Sequence, residues 1–328
     1  MIALKPESYN RNYLRISLFE KYLRYTLYLL LLILFLYPIY IKILSWNSNK
    51  SFLITNDDLG MINATLNYSD VTGNNFLINA SKAIHKSEDE LIFSKINAYH
   101  SNINKNEINL LSDLAEYNNI KKVLHFPGKF FVSSENDFNL TSQFANYDVS
   151  NSIINGNRNI FFENYVGKFN ADSFELDISN KYYKFENNII INLKSIRDNA
   201  QIKANNIVVD EKKFLIIARD QPIYKDHELF LSGDELLINY KNGESDKIII
   251  DKITINNNIK IIHNDSVITG ERAIYYNEIG EIEIINNVIL KQKDNSIKGS
   301  RLKYYLKDSS IRMLDSGSSK VELKYRNE

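Results

Sequence analysis

The side chains that could carry covalent chemistry are not arranged to do so. Five histidines, His85, His100, His125, His227 and His263, are scattered without the spacing of a metal site or of a nucleophile with its base. Asp57 with Asp58 and Asp234 with Glu235 are adjacent carboxylates, but in extended chain neighbours point to opposite faces and cannot share one proton. No phosphate-cradling glycine loop, HExxH helix or GxSxG elbow occurs. Without cysteine, thiolate ligands, a cysteine nucleophile and disulfides are all excluded. The sequons at Asn63, Asn67 and Asn139 are expected by chance where Asn is about one residue in seven. No enzyme, no cofactor and no metal are expected. What recurs at regular spacing is apolar surface, whose chemistry is the exclusion of water from hydrocarbon.

That surface lies on strands. After residue 50 the chain alternates in runs such as FELDI (174–178), KIIIDKITI (247–255), NIKII (258–262), EIEII (281–285) and RLKYYL (301–306), the period-two signature of a sheet. Only INLLSDLAEY (108–117) could pass as a helix, and only Pro127 and Pro222 interrupt the ladder. Small residues open similar units at Ala171, Ala204, Gly233, Gly270 and Gly299, which are 33, 29, 37 and 29 residues apart. Each unit reads as a strand, a turn and a returning strand, with the glycine relaxing a bend; units of this size must stack to bury a face. Taking the alternation literally, one face carries Phe174, Leu176 and Ile178; Ile189, Ile191 and Leu193; Leu236, Ile238 and Tyr240; Ile253 and Ile255; Ile282 and Ile284; and Leu302 and Tyr304. Lys260 and Glu283 fall on the opposite face. The inner faces either close on one another as a sandwich core or stay parted as an apolar trough, and alternation alone favours the closed core without separating the two.

The 328 residues hold 40 basic and 40 acidic side chains, so the basic surplus that nucleic-acid binding needs is missing. The balance hides an asymmetry: residues 1–24 carry five basic groups against Glu7 and Glu20. From Tyr25 to Ile41 the chain runs seventeen residues without a charge, and Lys42 to Leu44 extends it to spanning length. A cleaved signal peptide is the competing reading, but no small-x-small site follows. The expectation is a single transmembrane helix over 25–44, including Tyr25, Leu30, Leu36 and Ile41. The basic tail places the N-terminus in the cytoplasm and the rest outside.

A short basic tail, one span, and an all-β exterior with repeated G-x-x-apolar-x-Tyr units resemble the lipopolysaccharide export bridge proteins of Gram-negative bacteria. Residues from about 8 to 193 resemble LptC, the bitopic inner-membrane member, through VTGNNFLINASKAI (71–84) and SQFANYDVSNSIINGNRNIFFENYVGKFNADSFELD (142–177). Residues from about 194 to 322 resemble the OstA-type domain of LptA through IKANNIVVDEKKFLIIARDQPIYKDHELFLSGDELLINY (202–240) and the GERAIYYN and GSRLKYYL units. The resemblance implies an open, twisted β jelly roll of repeated antiparallel strands after one transmembrane helix. Its parts are a cytoplasmic tail (1–24), an anchor (25–44), an LptC-like periplasmic domain (50–193) and an LptA/OstA-like periplasmic domain (194–328). It further implies lipopolysaccharide as cargo, the permease subunits of an inner-membrane ABC transporter as one partner, and an outer-membrane OstA-type domain or further bridge proteins, docked by strand pairing, as others. The fifteen inner-face residues from Phe174 to Tyr304 would then line the trough. The competing expectation is a membrane-tethered structural or adhesion protein with closed cores and no lipid.

Overall fold

The computed structural model describes residues 60–69, 75–101, 107–134, 137–195, 200–243, 247–293 and 295–314, and the backbone of 322–324. It is all-β, as expected. One continuous antiparallel sheet runs in chain order from Gly60–Ser69 to Glu322–Lys324, and the 3-10 turn Glu211–Lys213 is the sole helical element among the described residues. The stretch that could pass as a helix is the strand Glu107–Asn118. Its alternation changes phase, with Ile108 and Leu110 inward before a register shift between Ser112 and Glu116, and Ala115 and Tyr117 inward after it. Such a slip mimics the i, i+3, i+4 spacing of a helix, and pairing on both edges decides in favour of the strand.

Comparable irregularities fold the sheet in two. Asn187 and Asn188, Asp220 and Gln221, Asn257 and Asn258, and Asn286 and Asn287 are successive residues with positive φ. Three of these pairs sit at register shifts where two residues oppose one on the neighbouring strand. Asparagine tolerates this left-handed region better than other side-chain-bearing residues. The second Asn of each of these three pairs donates Nδ2 to a carboxylate, Asn188 to Asp172, Asn258 to Asp234 and Asn287 to Glu271. Asn63, Lys95 and Phe144 continue the line through the N-terminal strands with single positive-φ residues. Each long strand crosses this crease once and so contributes one half to wall A and the other to wall B. Tyr182–Leu193, for example, gives 182–186 to wall A and 189–193 to wall B.

The repeat anchors lie on the crease, but not to supply a bent backbone. Gly233 and Gly270 have no positive φ; a Cβ on either would come within 2.6 Å of Ile255 Cγ2 or Ile284 Cγ2, so they are small to admit a neighbouring isoleucine. At the outer margin of wall A the hairpins recur with a side-chain cap. Asn118, Asp148, Asp177 and Asp210 each accept from the amide three residues on, and the loops end at Lys122, Ser152, Lys181 and Phe214 with positive φ.

The strand Tyr182–Leu193 pairs along its length with Gln201–Asp210, so the sheet passes residue 193 without a break. The two inner faces form one apolar cluster, aromatic around Phe162, Phe169, Tyr183 and Phe185 and rich in isoleucine beyond residue 248. Asn258→Ala should lower stability by about 2 kcal/mol, combining the left-handed penalty with a lost hydrogen bond, and Asn258→Gly by roughly half as much. Urea unfolding of the two variants checks this; equal losses would mean that the backbone conformation contributes nothing.

Candidate functional site

The fifteen inner-face residues named from the sequence all point inward and belong to one cluster. None is more than 9% exposed. The walls are therefore packed on each other where an open trough would part them. Leu236 lies beside Ile255, Ile255 beside Ala273 and Ala273 beside Ile284 in register, so the apolar row is continuous from strand to strand. Of the two positions read as facing outward, Lys260 is exposed, whereas Glu283 on the outer face is covered through its pairing with Arg301. The anchor residues Tyr25, Leu30, Leu36 and Ile41 lie outside the described residues. Among those described, no helix is long and apolar enough to cross a membrane, and no cluster of His, Asp or Glu suits a metal ion.

What joins the walls on the side opposite the crease has no signal in the sequence. There, polar groups at the margin of wall B meet groups at the margin of wall A that lie far along the chain. His100 Nδ1 bonds the Tyr147 hydroxyl, and His263 Nδ1 bonds that of Tyr304 at 2.9 Å. Lys181 Nζ donates to Asp137 Oδ1 at 2.8 Å, and Asn164 Nδ2 donates to Glu211 Oε1. The Tyr165 and Tyr240 hydroxyls are 3.4 Å apart. The Ile248 amide donates to the Lys194 carbonyl at 2.7 Å, beside a parallel bridge between Ser195 and Ile248. The Lys122 ammonium sits 4.6 Å from the Tyr68 ring centre. We call this line of contacts the seam.

The middle of the seam is its most polar part. Asn164 holds its own loop, its Oδ1 accepting from the amides of Val166 at 3.0 Å and Gly167 at 3.1 Å, and so presents Nδ2 to Glu211. Glu211 is buried at the start of the 3-10 turn. Burial pushes its carboxyl up to about 7 and Asp137 adds repulsion, against the opposing pull of Lys181 and the hydrogen bonds from Asn164 and Tyr183. Burial likewise raises Tyr165 to about 12 and lifts Tyr183 and Tyr240 well above the usual phenol range, so all three remain proton donors. Burial lowers the His263 imidazole, which keeps it neutral as a partner for Tyr304.

A family model described as "Lipopolysaccharide-assembly, LptC-related" matches residues 27–192, just over half of the chain. A second, described as "LptA/(LptD N-terminal domain) LPS transport protein", matches residues 168–310. No curated protein matches significantly. Among solved structures, the chain is similar to LptH, the LptA homologous periplasmic component of the conserved lipopolysaccharide transport device from Pseudomonas aeruginosa, at 11% identity and a TM-score of 0.35, over 39% of this chain and 95% of that one.

Glu211 makes stability depend on pH. An ordinary glutamate titrates near 4.5, and this one near 7 in the fold. Between those values the native state holds the extra proton, so the contribution is full below pH 4.5 and is lost as pH rises through 7, a difference of roughly 3 kcal/mol. Glu211→Gln should flatten this slope and be the more stable protein at pH 8. Urea midpoints for both proteins at pH 5 and pH 8 check this; parallel profiles would exclude Glu211 as the titrating group.

Proposed function

The chain belongs to the LptC-related family of lipopolysaccharide-assembly proteins, and on that premise we propose that it is a component of the bridge that carries lipopolysaccharide from the inner to the outer membrane. The observation that carries the reading is the unbroken apolar interior: one row of inward side chains continues through both family matches, joined by the pairing of Tyr182–Leu193 with Gln201–Asp210. Residues 1–24 are its cytoplasmic tail and 25–44 its anchor. The stretches 50–193 and 194–328 are its LptC-like and LptA/OstA-like periplasmic parts.

The physics of the cargo asks for such an interior. Exposing an acyl chain of about a dozen carbons to water costs roughly 10 kcal/mol at about 0.8 kcal/mol per CH₂. A conduit must therefore offer hydrocarbon contact along its whole length. Walls packed on each other can part around an acyl chain with little net loss, because contacts between Ile238, Ile255 or Ile284 and the opposite wall are replaced by contacts with the chain. Sugars and phosphates stay in water. With no nucleotide-binding motif in the sequence, transport is passive here, driven by an inner-membrane ABC transporter whose permease subunits hand over the lipid. Strand ends pair with an outer-membrane OstA-type domain or with further bridge proteins.

The packed walls also suit a second reading, a membrane-tethered structural protein with no lipid cargo. Photocross-linking in cells separates the two. A photoreactive residue at Ile255 or Ile284 should capture lipopolysaccharide when the transporter is energised, and one at Lys260 should not. Capture from Lys260 alone would falsify the assignment.

A further inference from the structure

The two long sides of the roll are built differently. On the crease side the walls are joined covalently, by every strand that crosses it. Among the described residues, they are joined on the seam side by side-chain contacts and by one bridge, at Ser195 and Ile248. Only the seam can open without breaking the sheet.

All but one of the seam contacts follow a rule, the exception being Tyr165 with Tyr240, which are 75 positions apart. Tyr68 meets Lys122, His100 meets Tyr147, Asp137 meets Lys181, Asn164 meets Glu211, Lys194 meets Ile248 and His263 meets Tyr304, each partner 41 to 54 positions later. In terms of connections, a wall B margin meets the wall A margin three turns on. A constant stagger is what coiling of a twisted sheet produces. It spreads the contacts along the whole seam, yet their strength is not uniform. Toward either end the seam is held mainly by the His–Tyr pairs, with the Lys122–Tyr68 contact and a 3.5 Å Asn264–Ser309 contact beside them. In the middle, an ion pair, a buried carboxyl with its amide donor, two facing tyrosines and the backbone bridge are gathered between Asp137 and Ile248.

We propose that Asp137, Asn164, Tyr165, Lys181, Glu211 and Tyr240 form a clasp that holds the two walls shut at the middle of the roll, and that this clasp releases each time a lipid acyl chain passes from the N-terminal to the C-terminal half. The proposal rests on the lipid-carrying reading above. Polar contacts suit this task because the groups they free are at the margin, where water takes over their hydrogen bonds, whereas apolar wall contacts are replaced by the acyl chain itself. A clasp of this kind keeps the interior from water between passages.

The test uses the full-length protein in nanodiscs and a long-chain fatty acid bearing an environment-sensitive fluorophore. The chain has no native cysteine, so Ser195→Cys with Ile248→Cys introduces a single thiol pair at bridged positions, within disulfide reach. Uptake of the probe should fall about tenfold or more when this pair is oxidised and return on reduction, since only the parted state binds the chain. Equal uptake with the disulfide formed, or no uptake in either state, would overturn the clasp. Should the double variant fail to fold, Asp137→Ala removes a partly exposed ion pair and should speed uptake by about 1.4- to 5-fold; an unchanged rate would also overturn it. Cross-linking of lipopolysaccharide at Ile255 in unmodified cells reports on the lipid-carrying reading separately, so failure of the clasp and failure of that reading give different results.

Discussion

The structure depends on a bend in the backbone at the middle of its long strands. A flat antiparallel sheet with one apolar face would need a second layer to cover it. Here the cover is the other half of the same strands, and the left-handed Asn pairs at 187–188, 257–258 and 286–287 turn the chain without ending the ladder. The carboxylates of Asp172, Asp234 and Glu271 hold these corners by accepting from the second asparagine. Because every corner neighbours the next, the bend becomes a crease, and inward residues before and after it face each other across one interior.

The crease also explains why the sequence was readable in some places and not in others. Period-two alternation marked Ile189, Ile191, Leu236, Ile238, Ile282 and Ile284 as inward, and all are buried, because within each half-strand the pleat is regular. Across a corner the phase slips, which is how residues 108–117 came to look helical. The repeat anchors were legible as small residues, but their reason was not: Gly233 and Gly270 make room for Ile255 and Ile284 on the adjacent strand, a fact of packing rather than of chain conformation. The side-chain caps at Asn118, Asp148, Asp177 and Asp210 have a local sequence signal, an Asn or Asp immediately after an inward apolar or aromatic residue (Tyr117, Tyr147, Leu176, Val209) and just before a four-residue loop. The seam had none, since its partners are separated by 41 to 75 positions and no local pattern links them.

Packing and seam together set what the interior can be. An inward face made of Ile, Leu, Phe and Tyr is held shut by the same force that would admit hydrocarbon, so wall-to-wall contact and wall-to-lipid contact compete on nearly equal terms. In such a balance the weak polar contacts of the margin decide. Two His–Tyr pairs and one ion pair are each worth little beside the apolar cluster, but they are lost only when the walls part, which places them on the opening step alone.

The middle of the seam has a further property. Asn164 and Tyr165 lie within the LptC-related match alone, and Glu211, Tyr240 and Ile248 lie beyond its end, within the LptA-like match. The three-turn stagger requires this: wherever the boundary between the two matched regions falls, the last wall B margins of the first must close on the first wall A margins of the second. In one continuous chain those contacts are intramolecular, and the join between the halves is locked by the sheet on the crease side and by the clasp on the other. The two family matches overlap over residues 168–192, and the hydrogen-bonded ladder, the apolar row and the seam all continue through that stretch.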